Sequence, residues 1–318
     1  SKEEQEKAEK ASWKSSETPT QRASKPQKIS EIEATSEARF NTLNKYVDYF
    51  VIVESKNFHN GKERNLRFDI NKYPKFKNKI IYIQHDLSGL KLENLIQNDD
   101  EGEQSRKLIF NAHIRENDQR NKIMQGLNDA NDDDLIIISD VDEIPNLEKL
   151  NFNNIKNEIL MFEQNIFYYK LNRYLPNFIW FGTKACKKKN LLSPQWLRNI
   201  KKSKYSFYRI DTFFSKTKYI NKKYIKNGGW HFSNLKNSSD IELKLKSYLH
   251  HRDYEVEQLG QIKIDALIKQ NKTIYDMFGD KSSKKFGDDK RKNLEKFEIK
   301  KLPTYIQNNI EKFKKWID

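Results

Sequence analysis

Asp140 and Asp142 flank Val141, directly after the apolar run Leu135-Ile136-Ile137-Ile138 and directly before Glu143-Ile144-Pro145. Alternate residues of an extended chain face the same side, so this spacing predicts two carboxylates aimed at one point, with Val141 turned away. Two hard oxygen donors at the end of a buried strand suit a divalent ion such as Mg²⁺ or Mn²⁺. The carboxyl ends of strands are also where open α/β sheets bind ligands. The competing reading is a solvated acidic turn, for which four consecutive apolar residues are a costly lead-in.

Charge along the chain is segregated. Residues 129–148 hold eight acids and no Lys or Arg, whereas residues 182–226 hold fourteen Lys or Arg against Asp211 alone, within a net charge of +15. A cation site and a basic belt in one protein suit a substrate whose phosphates are bridged by a metal. The belt also interleaves aromatics from Trp196 to Tyr224. That mixture opens two further readings, bases stacked on rings and anionic membrane lipid, beside the plain one of a solvated surface over buried aromatics.

These residues need a scaffold. Residues 1–35 are rich in Lys, Glu, Ser, Thr and Gln and too poor in apolar residues to offset the entropy of ordering, so they read as a flexible polar leader. A single domain is expected over 36–318. The pattern predicts a short helix over 36–47, strands over 49–53, 79–83 and 135–138, and a long helix over 104–130. Strand and helix in that order argue an α/β fold with a mostly parallel sheet flanked by helices. Further on, extended segments are expected over 159–170 and 178–181. Asn227-Gly228-Gly229 reads as a turn entering an aromatic strand. Helices are expected from Ser238 to about His251, over 256–270 and over 303–316.

Composition narrows the classes. With 36% hydrophobic and 33% charged residues, no apolar run approaches the roughly 18–20 residues that span a bilayer, and no apolar h-region marks a signal peptide. Cys186 is the one cysteine, so no intrachain disulfide forms, which fits a reducing compartment. No Cys/His cluster has zinc spacing, and no Gly-rich loop cradles phosphate. The Lys/Asn/Ile-heavy composition points to an AT-rich coding sequence and a cytoplasmic microbial or viral protein.

Five ordered blocks carry a family likeness: Val47–Ser55, Arg115–Asn121, Ile138–Pro145, Trp180–Lys184 and Gly228–Ser233, with a weaker echo at Lys246–His250. On these the chain resembles glycosyltransferase family 17, which includes the β-1,4-mannosyl-glycoprotein β-1,4-N-acetylglucosaminyltransferases. The resemblance implies a GT-A fold in which a Rossmann-like nucleotide half, 36–150, is merged with an acceptor half, 151–318, that ends in a helical C-terminal part. It also implies a UDP-sugar donor, N-acetylglucosamine as the family's best-known sugar, a glycan acceptor and inversion at the anomeric carbon. Asp140-Val141-Asp142 takes the place of the family's DXD motif. Such enzymes usually open with a strand and a Glu-Leu-rich helix, for which residues 28–40 are short and polar.

On that reading Asp142, with Asp140 beside it and His231 as a nitrogen donor, would hold the metal against the leaving diphosphate. Arg120 and Lys184 are candidates for phosphate contact, Arg120 alternatively for a salt bridge to Asp132–Asp134. Glu54, at a strand end, and Asp140 are candidates for the nucleoside. His250 is a weaker counterpart of His231. Inversion needs a general base. Glu143 and Asp240 are the first candidates, with Glu242 and Asp253 also open. Glu143 would otherwise lock the turn, and Asp240 would otherwise cap its helix. Two alternatives stand beside the transferase: a HAD-like phosphohydrolase, which also places Asp-x-Asp after an apolar strand, and a non-enzymatic nucleic-acid binder using the 182–226 belt.

Overall fold

The computed structural model describes residues 31–318 apart from 157, 207, 248–253, 255–257 and 276–290. Helix α1 (Glu31–Leu43) begins five residues before its expected start. Residues 31–35, read from composition as the end of a leader, form its first turns, and residues 1–30 lie outside the described residues. The helix holds because one stripe is apolar: Ala34, Ala38, Phe40 and Leu43 are buried. The Phe40 ring meets those of Phe50 and Tyr73 edge-on at 4.9 Å, a favoured aromatic geometry.

Strand β1 (Phe50–Ser55) pairs in parallel with β2 (Ile80–His85) along its whole length. Helix α2 (Glu101–Asn121) is capped by Asp100, whose side chain accepts from the Glu103 N–H. It then tightens into a 3₁₀ turn (Lys122–Leu127) rather than running on to residue 130. Strand β3 (Leu135–Ile138) has its expected bounds. Beyond it lie β4 (Glu143–Pro145), β5 (Ile159–Tyr168), β6 (Arg173–Trp180) and β7 (Lys184–Lys187). Then come α3 (Pro194–Asn199), capped by Ser193, β8 (Lys222–Ser233), α4 (Ser238–Ser247), α5 (Gly260–Lys269) and β9 (Glu295–Lys296).

The sheet differs from the mostly parallel one expected. Among the described residues the parallel pairs are β1/β2 and β5/β8, while β3/β7, β4/β8, β5/β6, β5/β7 and β6/β9 are antiparallel. The reason lies in the connections. Only a few residues join β5 to β6 and β6 to β7, and a parallel pair needs a crossover of a dozen or more. Strand β3 accordingly takes β7 as its partner instead of joining β1 and β2. The result is a mixed α/β fold with a seven-stranded mixed sheet beside a two-stranded parallel one.

Two apolar clusters hold this arrangement. Ile136, Ile138, Met161, Cys186 and Leu197 bring β3, β5, β7 and α3 together. Ile241, Leu245, Ile264 and Leu267 seat α4 and α5 on Ile166, Tyr168 and Leu175 of β5 and β6. The expected helix over 303–316 is instead two short helices, Thr304–Gln307 and Ile310–Phe313, followed by a 3₁₀ turn. No helix among the described residues is long and apolar enough to cross a membrane.

Strand β8 is wedged between β4 and β5, and one backbone position makes that possible. Gly229 has φ +132°, and a Cβ there would lie 2.1 Å from the Ile144 carbonyl oxygen. Only glycine reaches this conformation at this separation. The close approach sets His231 opposite Glu143 in the β4/β8 register, which brings the acidic segment and the histidine into one place.

Candidate active site

The acids after β3 do not continue the strand. Asp140–Glu143 form a turn closed by the Glu143 N–H, which donates to the Asp140 carbonyl at 3.1 Å. Arg39 of α1 fastens it, donating to Ser139 Oγ at 2.6 Å, to the Asp140 carbonyl at 3.2 Å and to the Glu143 carbonyl. The strand-alternation argument is therefore corrected: turn geometry orients Asp140 and Asp142, with Val141 exposed between them.

Glu143 is fully buried. Its Oε1 accepts from Trp180 Nε1 at 2.7 Å and Arg198 Nη1 at 3.1 Å, and its Oε2 from Thr183 Oγ1 at 3.1 Å and the Asp140 N–H at 3.2 Å. A carboxylate offers about four lone-pair sites, and these four donors occupy them. Glu143, expected as a general base or else as a lock on the turn, is thus engaged within the protein on both oxygens. Gly182 makes room for it: a Cβ there would fall 1.8 Å from Glu143 Oε1 and 2.1 Å from Trp180 Nε1.

Asp140 receives Arg198 Nη2 at 2.6 Å on one oxygen and Arg120 Nη2 at 3.2 Å on the other. Burial works to raise its pKa, and the two guanidiniums overcome this and lower it. Arg198 answers in kind: burial opposes its charge, and Asp140 and Glu143 raise its pKa. The Arg39 pKa is lowered, chiefly by burial, against the pull of Glu143, Asp140 and Asp142. Three carboxylates are thus set among three guanidiniums, so the acidic turn is close to neutral rather than a bare trap for cations.

Asp142 is placed differently. Its Oδ2 lies 3.5 Å from His231 Nε2. Burial acts to raise the carboxyl's pKa, but His231 pulls it well below the usual range, and Asp142 in turn raises the pKa of His231 against burial. The other ring nitrogen, His231 Nδ1, is buried without a partner. Among the described residues no group of three or more His, Cys, Asp or Glu side chains is arranged to hold an ion. Of the expected trio, Asp140 is bonded to Arg120 and Arg198, while Asp142 and His231 face each other.

A cleft of about 600 Å³ opens beside this turn, between α2, the β6–β7 connection and the segment after α3. Arg120, Lys184, Arg198, Lys201 and Lys202 line it, with Glu116 as its one carboxylate. Trp180 ties the parts together: it lines the cleft, donates to Glu143, and packs its ring 4.8 Å from that of His231.

Other expected site residues are engaged elsewhere. Glu54 is buried and accepts from Arg64, the N–H groups of Arg67 and Phe68, and the Tyr82 hydroxyl. It pins the loop after β1 and has no free face for a nucleoside. Lys184 donates inward to the carbonyls of Arg198 and Ile200, not to the cleft. Burial, aided by Arg198, pushes its pKa down to about 7. Arg120 reaches Glu116, Gln195 and Asp140 rather than the 132–134 acids. Asp240 is exposed in the first turn of α4, whose cap is the Asn237 side chain, and does not line the cleft. Glu242 pairs with Lys246 at 2.9 Å. His250 and Asp253 lie outside the described residues.

The sequence reading missed Arg39, Glu116, Trp180, Thr183 and Arg198. Each lies in a segment that reading quoted, but nothing local marks Arg198 among fourteen basic neighbours, or Arg39 on a helix a hundred residues away.

A turn of carboxylates set among arginines thus follows a core strand, and Arg120, Arg198 and Trp180 link it to a cationic cleft. The sequence matches glycosyltransferase family 17 over residues 2–317. The chain belongs to that family and is a glycosyltransferase, which implies a nucleotide-sugar donor and a glycan acceptor. Comparison with curated proteins and with solved structures gives no match. The phosphohydrolase and nucleic-acid readings have no support in this membership.

Glu143→Gln puts an amide among four donors. Breaking the buried pair with Arg198 is expected to cost about 3–5 kcal/mol, read in urea unfolding. An unchanged midpoint would show that the carboxylate is free. Lys184 adds a pH dependence. With its folded-state pKa lowered to about 7 from 10.5, the unfolded chain binds more protons between those values, so stability rises with pH across that window. Lys184→Met is expected to flatten this rise, measured as unfolding midpoints from pH 6 to pH 10.

Proposed function

We propose that this protein is a metal-assisted, inverting glycosyltransferase of GT-A type that moves a sugar, N-acetylglucosamine, from a UDP-sugar to a glycan acceptor. The observation that carries the reading is the pair formed by Asp142 of the turn and His231 of β8, 3.5 Å apart, on a turn bonded through Asp140 to Arg120 and Arg198 of the cleft wall. The parallel β1/β2 pair and the acidic turn after β3 are the features that speak for a nucleotide half.

Asp142 and His231 suit Mn²⁺ or Mg²⁺ as one oxygen and one nitrogen donor. Mg²⁺-type sites commonly use one or two protein ligands and take the rest from substrate phosphates and water. A bound ion there would supply charge to the leaving diphosphate. Since the turn is already near neutrality, ion and diphosphate are expected to bind as a unit. A proton on His231 competes with the ion, so affinity should rise with pH.

The protein's own residues do the remaining work. Arg120 and Arg198 present guanidiniums to the cleft, where negative charge grows as the sugar–phosphate bond breaks. Glu143 keeps Arg198 and Trp180 in place. With Glu143 saturated and Asp240 outside the cleft lining, Glu116 of that lining is our candidate to take the acceptor's proton. Arg120 occupies its Oε1.

Thermal unfolding with UDP and Mn²⁺ tests the donor site. Together they are expected to raise the midpoint more than either alone, and Asp142→Ala is expected to remove that gain without unfolding the chain. A full gain in the variant would place the ion elsewhere. For the base, Glu116→Gln is expected to lower turnover by about 10²–10⁴-fold while keeping the UDP/Mn²⁺ shift, and retained turnover would exclude it.

A further inference from the structure

We propose that the turn at Arg209–Phe214 docks this protein onto an anionic membrane surface. Ile210, Phe213 and Phe214 are 70%, 75% and 85% exposed. Ile210–Thr212 form a 3₁₀ turn, closed by the Phe213 N–H on the Ile210 carbonyl at 3.1 Å. Side chains three apart on such a turn eclipse one another, so Ile210 and Phe213 share a face, and Phe214 follows. Thr212 points the other way, buried, with its hydroxyl on the Arg209 carbonyl. Scattered surface apolar residues are ordinary, whereas a contiguous group marks a contact site.

The surroundings say what kind of contact. Residues 201–226 hold nine Lys or Arg and one acid, Asp211, which is already paired with Arg209 at 2.7 Å and Lys218 at 2.9 Å. Exposed apolar side chains on a segment this rich in cations match the two halves of a bilayer interface: hydrocarbon below, anionic headgroups around. Single-stranded nucleic acid would use stacking aromatics, and Ile210 adds nothing to a stack, while it adds area to a lipid contact. The loop is tied down at its base. The Lys201 N–H bonds the Thr217 carbonyl at 2.9 Å, Trp196 Nε1 the Lys216 carbonyl at 2.6 Å and the Tyr224 hydroxyl the Lys202 carbonyl at 2.8 Å. Lys201 and Lys202, at that base, also line the cleft, so the docking segment and the cleft share residues. The proposal does not rest on the transferase reading.

Co-sedimentation with vesicles of phosphatidylcholine alone, or with phosphatidylglycerol added, tests it. The full chain is expected to bind the anionic vesicles, more weakly as salt rises, and to leave the neutral ones. Phe213→Ser/Phe214→Ser is expected to cut binding about tenfold or more, with an unchanged thermal midpoint. Lys204→Glu/Lys216→Glu is expected to remove the preference for anionic lipid. Undiminished binding by the phenylalanine variant, equal binding to both vesicles, or binding to neither would overturn the proposal. So would tight binding of single-stranded RNA that the phenylalanine variant loses while vesicles go unbound.

Discussion

The pairing of Glu143 with Arg198 in the interior is the interaction on which the site depends. A carboxylate with no exposed surface persists only if every lone pair is met, since an unpaired buried charge is far more costly than a paired one. Here the indole of Trp180, the hydroxyl of Thr183, a backbone N–H and a guanidinium meet it. They come from its own turn, from the end of β6 and the connection after it, and from α3, so satisfying one side chain fixes β4, the β6–β7 connection and α3 relative to one another. Arg198 then carries the constraint outward to Asp140, and Arg39 repeats it from α1.

This network changes the meaning of the acidic motif. Read as isolated carboxylates, Asp140, Asp142 and Glu143 make a strongly negative pocket for a cation. Among Arg39, Arg120 and Arg198 they form a nearly neutral cluster, with Asp142 beside His231. The electrostatic cost of holding three acids together is met by guanidiniums within the protein.

Local pattern sufficed for several elements. The bounds of β3 follow from four consecutive apolar residues, and β1, β2 and β5 follow from runs with the same character. Helix α5 falls inside its expected span because its apolar spacing has the helical period. Strand partners were not legible. Nothing within Leu135–Ile138 says that β7 rather than β1 lies alongside, since hydrogen-bonding edges are alike in every strand. Short loops and packing decide that choice. Likewise, α2 shortens and tightens where its chain meets β1, a contact between residues far apart in sequence.

The sequence by itself determined the family, the acidic turn, and the presence of a histidine and a basic belt, because these are matters of residue type and order. The tertiary structure alone decided roles. It turned Glu143 and Glu54 into buried acceptors, pointed Lys184 inward, left Asp240 on the surface, and brought Arg39, Arg120 and Arg198 to one place. The physical reason is that a side chain's chemistry depends on what else competes for its hydrogen bonds and charge. Those competitors come from segments up to about a hundred residues away, whose approach no local pattern encodes.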